Sequence, residues 1–424
     1  MSTFKVLAGV VCLACGLQAM DSGSDAEWEL NLKAARAAMQ KHDFSEAARL
    51  YSECVSLSSN SGERLTALAA EGIALNDAGR YREAKIPLEQ VLAAPAVLLT
   101  EELRVTISSV LASVDRSLGD YRAAERALRA AIGTDSEVPA TRAILVVNLA
   151  DLLREEARDS EGLALVSKAN QLAGLSTATR TELKIEAAEL TRHMGMWNES
   201  IEDWNQIGAL AESEHSLQLE TAFTGGLGET WFDAGNTARA EPLLRRSLKL
   251  VQDDPDASAF QVATALAALG RLYISEDKLA LAEEAIDEAM AKEEASFGPA
   301  HPQVALLLEL RAQSFSRHGE AEAAREDLER AQRIMSDCFG AESIEVASVL
   351  AAMGDAEFRA SRPKDAIAHY KVAIQITRDA GRDGARMAND IALRYATLLK
   401  AAHKPEEARA VLAHGTAQKS FVEK

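Results

Sequence analysis

Apolar and small side chains along this chain recur in a fixed beat. Ala240, Ala282, Ala324, Ala366 and Ala408 stand 42 residues apart. Four residues after each comes a bulky apolar side chain: Leu244, Ile286, Leu328, Tyr370 and Leu412. Twelve residues before each stands a small one: Gly228, Gly270, Ala312, Gly354 or Ala396. Between these points the apolar residues keep three- and four-residue spacings, as in Ala265, Leu266, Leu269, Leu272 and Tyr273, which is the stripe of an amphipathic helix. The pattern predicts one helix over Gln261–Ser275 and a second over Leu279–Ala295, broken by Glu276-Asp277-Lys278. Phe297-Gly298-Pro299 ends the second helix, because glycine suits a left-handed cap and proline cannot continue the ladder. Pro302 then falls in the first turn of the next helix, where its missing N–H costs nothing.

Looser spacing extends the beat backwards. Ala47, Ala84, Ala124, Gly162 and Ser200 hold the small position, and Tyr51, Leu88, Leu128, Val166 and Trp204 the bulky one. The chain therefore reads as about ten helical hairpins, an all-α array in which each unit packs on its neighbours. Small residues at the crossing let antiparallel helices approach to ~8–10 Å.

With Leu269-Gly270, Tyr273, Ala282, Ile286 and Ala289 in place, the pattern resembles the tetratricopeptide repeat (TPR) signature. The 42-residue units, joined by stretches such as Phe297-Gly298-Pro299-Ala300-His301-Pro302, are similar to kinesin-light-chain-type repeats. The resemblance implies a right-handed α–α superhelix over residues 26–415, a tail at 416–424, and a groove lined by first helices that binds protein or peptide partners. Asp115 and Glu357 stand where that signature has a tyrosine, and Gly162 and Ser200 replace alanine, which leaves the register of repeats 4 and 5 the loosest.

The first residues read differently. Lys5 precedes an apolar run from Val6 to Leu17, and Ala19 offers a cleavage position, so residues 1–19 are expected to be a signal peptide and 20–25 a polar linker. The mature chain is then exported, periplasmic or extracellular. An alternative is a membrane-anchored lipoprotein acylated at Cys15, since Cys12-Leu13-Ala14-Cys15 resembles a lipoprotein box. Cys54 and Cys338 lie too many repeats apart for the ~4.4–6.8 Å that a disulfide requires between Cα atoms.

Charge narrows the partners. With 65 acidic and 46 basic residues the net charge is −19, which repels a phosphate backbone and makes nucleic acid an unlikely partner. The eight histidines fall at 42, 193, 215, 301, 318, 369, 403 and 414, without the spacing of a metal site. No serine stands in a nucleophile elbow. No catalytic residue, metal, cofactor or small-molecule substrate is therefore expected. Gly225-Gly226-Leu227-Gly228 follows no strand and precedes no lysine, so it reads as a helical segment with room for a neighbour's side chain rather than as a phosphate cradle.

One stripe could bind. Arg116, Arg154, Arg192, Arg317, Arg359 and Lys400 occupy the twelfth or thirteenth position of their units, with Asn148 the main asparagine of the kind that holds peptide backbone in related repeats. Such a basic line suits an acidic segment or a terminal carboxylate. The alternative is that Glu182, Glu189, Glu229, Asp233, Asp355 and Asp390 pair with it internally. Charge reversal of Arg116 and Arg154 together is expected to abolish partner capture while leaving helicity intact. Trp204 and Trp231 are expected in the core; Trp28, and Trp197 with Met194 and Met196, are candidates for an exposed partner patch. The sequence thus supports a non-catalytic interaction scaffold. Its rival is a self-associating assembly protein, a homo-oligomer using the uncapped end at Ala408, Val411 and Leu412.

Overall fold

The computed structural model describes residues 26–41, 43–133, 139–156, 158–254, 257–380 and 385–422. The leader at 1–19, the linker at 20–25, Cys15 and His42 lie outside the described residues. Among those residues there are twenty α-helices, one 3-10 turn and no strand, so the class is all-α. The chain divides into two compact units, residues 1–186 and 187–424.

Unit 1 holds α1 (Ala26–Gln40), α2 (Phe44–Leu57), α3 (Ser61–Asp77), α4 (Tyr81–Leu92), α5 (Glu101–Ser117), α6 (Tyr121–Gly133), α7 (Pro139–Glu155) and α8 (Asp159–Asn170). The division falls within α9 (Thr177–His193). Unit 2 continues with α10 (Trp197–Glu214), α11 (Leu217–Asp233), α12 (Thr237–Asp253), α13 (Ala259–Ser275) and α14 (Leu279–Phe297). It ends with α15 (Pro302–His318), α16 (Ala321–Phe339), α17 (Ile344–Arg359), α18 (Pro363–Asp379), α19 (Ala385–Ala401) and α20 (Pro405–Val422). Consecutive helices pack against one another as hairpins, and from α11 onwards each first helix contacts its own second helix most extensively.

The small residues occupy equivalent positions. Ala47, Ala84, Ala124, Ser200, Ala240, Ala282, Ala324, Ala366 and Ala408 are all fully buried, and Gly162 is buried too. What they pack follows one rule: the bulky residue four positions on lies over the small residue of the first helix. A Cβ added to Gly72 would fall 2.6 Å from Leu88; on Gly228, 2.8 Å from Leu244; on Gly270, 2.9 Å from Ile286; on Gly354, 2.7 Å from Tyr370. Glycine is needed there for close approach, not for backbone freedom.

The looser repeats obey the same rule with altered chemistry. Ser200 donates its hydroxyl to the Ala188 carbonyl (2.9 Å), so this polar stand-in for alanine is satisfied inside the contact. Asp115, at the tyrosine position, is buried and accepts a hydrogen bond from Lys85 at 2.6 Å. Turns fall where polar residues and glycine predict them, with positive φ at Gly79, Gly119, Gly235 and Gly319, and at Asp277. Gly298 also has positive φ, but its ψ of 162° is extended rather than left-handed helical. His301 caps α15, and Pro302 lies in its first turn. In α20 Ala408 is fully buried within its own hairpin while Val411 and Leu412 are half-buried, so these three side chains are less exposed than an uncapped end implies.

Candidate functional site

Most of the basic stripe is spoken for. In unit 1, Asp151 of α7 sits between Arg116, which reaches it at 2.5 Å, and Arg154, which also bonds it. Arg116 lies 3.5 Å from Glu155, and Arg154 lies 3.9 Å from Glu186. Burial alone would raise the Asp151 carboxyl, but the two guanidiniums hold it below the usual carboxylate range. Asn148 lines a cleft of only about 20 Å³ with Arg116 and Asp151. Two of the residues singled out in the sequence thus converge on one carboxylate, and the third, Asn148, lines the cleft beside it.

In unit 2, Arg192 is buried and meets Glu189 at 2.6 Å, Glu229 at 3.4 Å and Asp233. Burial works against its charge, and the three acids more than offset it. Arg317 donates to the Ile274 carbonyl at 2.7 Å and lies 4.0 Å from Asp277. Partners 35 to 43 residues apart in sequence are in adjacent repeats, so these arginines tie repeat to repeat. Arg359 and Lys400 are exposed and hold no ion pair among the described residues.

A concavity lies in unit 2. It encloses about 830 Å³ over α13, α15 and α17, the first helices of three successive hairpins. Phe260, Ala263, Thr264 and Ala267 line it from α13; Leu306, Leu307, Glu309, Leu310 and Gln313 from α15; Ser348, Ala352, Asp355 and Arg359 from α17. Glu293, Arg271 and Arg394 complete the charged lining. Leu306 is half exposed, an apolar side chain offered to whatever enters.

The charges in this cavity fall into two groups. Arg394 pairs with Asp355 and lies 3.5 Å from Asp390; Asp355 also accepts from the Tyr370 hydroxyl; Arg271 reaches Glu229 at 2.5 Å. These are satisfied internally. Two acids are not. Glu309 accepts one long bond from the Ser348 hydroxyl (3.4 Å) on Oε2, while its Oε1 is buried without a hydrogen-bond partner. Glu293 is 1% exposed, and its Oε2 likewise has none. Burial pushes both carboxyls up to about 7; for Glu309 the Ser348 hydroxyl and the Arg394 charge offset it only in part.

Sequence reasoning passed over both acids. A signal existed: Glu293 continues the stripe of Ile286 and Ala289 at a four-residue step, and Glu309 interrupts a run of leucines from 306 to 310. An acid at an apolar position is a buried acid.

The tryptophans sort by burial. Trp204 is 2% exposed, in the core. Trp231 is half-buried beneath the Arg239 guanidinium, 4.4 Å from the ring centre. Trp28 and Trp197 are also half-buried, and Met194 beside Trp197 is 38% exposed. Among the described residues no group of three or more His, Cys, Asp or Glu side chains is placed to hold a metal ion, and no helix is long and apolar enough to cross a membrane.

Residues 303–379, the hairpins α15–α16 and α17–α18, match the family model described as tetratricopeptide repeat. No protein of curated function matches the chain. Among solved structures, a Rap protein crystallised in complex with Competence and Sporulation Factor is 13% identical, with a TM-score of 0.55 over 85% of this chain and 100% of that one. A tetratricopeptide repeat protein from Parabacteroides merdae is 15% identical over 69% of this chain and 100% of its own, with a TM-score of 0.49. Putative-kinesin-light-chain TPR-like repeats from Podosopora anserina are 17% identical, with a TM-score of 0.41 over 49% and 99% of the two chains. The fold is that of a TPR solenoid.

Proposed function

We propose that this chain of tetratricopeptide-type hairpins is a non-catalytic scaffold whose unit 2 groove receives a segment of a protein or peptide partner. The observation that carries the reading is the cavity of about 830 Å³ spread across the first helices of three successive hairpins. A preformed groove of this kind gathers many modest contacts without ordering costs on its own side. Arg359 is the one member of the basic stripe in the cavity lining, and no ion pair holds it among the described residues. An acidic side chain or terminal carboxylate of the bound segment is assigned to it. Export to the periplasm or the exterior is proposed on the leader at 1–19, with acylation at Cys15 as its alternative.

The test is selection of a displayed random-peptide library on the full chain, followed by fluorescence anisotropy of the enriched peptides. Thr264→Trp fills the cavity from an exposed position on α13. It should weaken every enriched peptide at least tenfold, whereas Thr397→Trp, exposed on α19 and outside the cavity, should not. Equal binding by the two variants refutes the groove.

A second reading, self-association, is favoured by a concavity of about 440 Å³ at the last hairpins, lined by Ile374, Ala388, Ala392, Tyr395 and Val411. Light scattering on the eluting chain separates the two, since a binding scaffold stays monomeric.

A further inference from the structure

We infer that Glu309, with the Ser348 hydroxyl beside it and Glu293 in the same cavity wall, is the receptor for a cationic group, a primary ammonium or a guanidinium, on the segment bound in the unit 2 groove. The inference rests on the groove reading above and names the chemistry the groove selects.

The cavity's own charges are unevenly served. Asp355 has Tyr370 and Arg394, and Arg271 has Glu229. Glu309 Oε1 and Glu293 Oε2 are buried with no donor among the described residues. A buried acceptor without a donor is costly, and a buried carboxylate without a cation costlier still. Both costs are removed by one guest that brings N–H donors and positive charge together. The basic side chains of the lining cannot do this from where they stand: Arg394 is drawn to Asp355 and Asp390, Arg271 to Glu229, and Arg359 is exposed at the end of α17.

A pH signature follows. Every titratable or charged group lining the cavity is Glu293, Glu309, Asp355, Arg271, Arg359 or Arg394. Of these, Glu293 and Glu309 have carboxyls pushed up by burial to about 7. A cation therefore meets mostly neutral acids at pH 6 and mostly ionised ones at pH 8. Its affinity should rise about tenfold between them, since each pKa unit is a factor of ten.

The probes are N-acetylated hexalysine, hexaarginine and hexaglutamate amides, and a hexaasparagine amide with a free amino terminus, titrated by anisotropy against the full chain. They separate side-chain ammonium, guanidinium and terminal amine as the source of the cation. Glu309→Gln keeps the shape and removes the charge. Glu284→Gln, exposed and outside the cavity, makes the same change in net charge. At least one cationic probe should bind, weaken tenfold or more in Glu309→Gln and less than twofold in Glu284→Gln, and have its pH dependence reduced only in the former, where Glu293 alone still titrates. Equal effects of the two substitutions, or tighter binding of hexaglutamate than of any cationic probe, overturns the inference. If Thr264→Trp still blocks the peptides selected from the library, the groove stands and only the cation subsite falls; if Thr264→Trp is also without effect, both fall.

Discussion

The indole of Trp204 rests on the bare backbone of Gly226: a methyl built on that glycine would lie 2.0 Å from Cζ2 and 2.3 Å from Cη2. The glycine cluster at 225–228 is thus a seat for neighbouring side chains. Leu244 takes the space over Gly228, and the Ser247 hydroxyl lies 3.1 Å from a Cβ on Gly225.

Gly226→Ala should therefore destabilise unit 2 although alanine is the better helix former by ~1 kcal/mol. The rigid ring, 2% exposed, has nowhere to withdraw, so overpacking of about 1–3 kcal/mol sets the sign. Gly133→Ala, with nothing within 4 Å of the added methyl, is the control and should be neutral or mildly stabilising. Urea midpoints of the two variants decide it.

The arginine stripe changes its expected phenotype. Arg116 and Arg154 share Asp151, and the three side chains are about one-fifth exposed. Reversing both arginines to glutamate would leave Asp151 among acids, so the double variant should lose about 2–4 kcal/mol of stability rather than fold normally and fail only in capture. Asp151→Asn alone should cost less but act in the same direction. Thermal melts of both, read by circular dichroism, test this; unchanged melts would return these arginines to the pool of ligand-binding candidates.

How much of this was legible beforehand depends on the range of the interaction. The hairpin contact is set by three residues within sixteen of one another, such as Gly270, Ala282 and Ile286, and its repetition makes the period visible. That is why even Ser200 and Gly162, in the loosest repeats, keep the beat and are buried. The pairing of Arg116 with Asp151, 35 residues on, depends on which way each side chain leaves its helix and how far it reaches. Spacing along the chain brought the stripe to light but not its partners. Glu293 and Glu309 were harder still: an acid's burial depends on what packs over it from other helices, and acids are abundant in this chain.

Export is the prediction farthest from the fold. Expressed in a Gram-negative host, the full-length chain should be recovered from the periplasm with an amino terminus at Met20, read by mass spectrometry of the intact protein. A terminus at Cys15 carrying acyl mass would replace cleavage after Ala19 with the lipoprotein alternative. Retention of Met1 in the cytoplasm would remove both.

Glu293 makes the sharpest test of the buried-acid picture, because its sign is unusual for a carboxylate. Its folded pKa, about 7, lies above the ordinary 4.5. The folded state then holds a proton that the unfolded state has released between those values, so stability is lost as pH rises through that window and the loss is complete above 7. The ceiling is about 3 kcal/mol, since each pKa unit is worth ~1.4 kcal/mol. His301 runs the other way: burial pushes it down to about 4, so its contribution is lost as pH falls from 6.5 towards 4. Comparing wild type with Glu293→Gln at each pH subtracts His301, and also Asp77, which burial pushes up to about 7 in unit 1. Glu293→Gln should be the more stable form at pH 8, with the gap closing by pH 5, in urea titrations followed by tryptophan fluorescence. A gap that is constant with pH would mean that the Glu293 carboxyl ionises normally and that the cavity wall is wetter than its geometry implies.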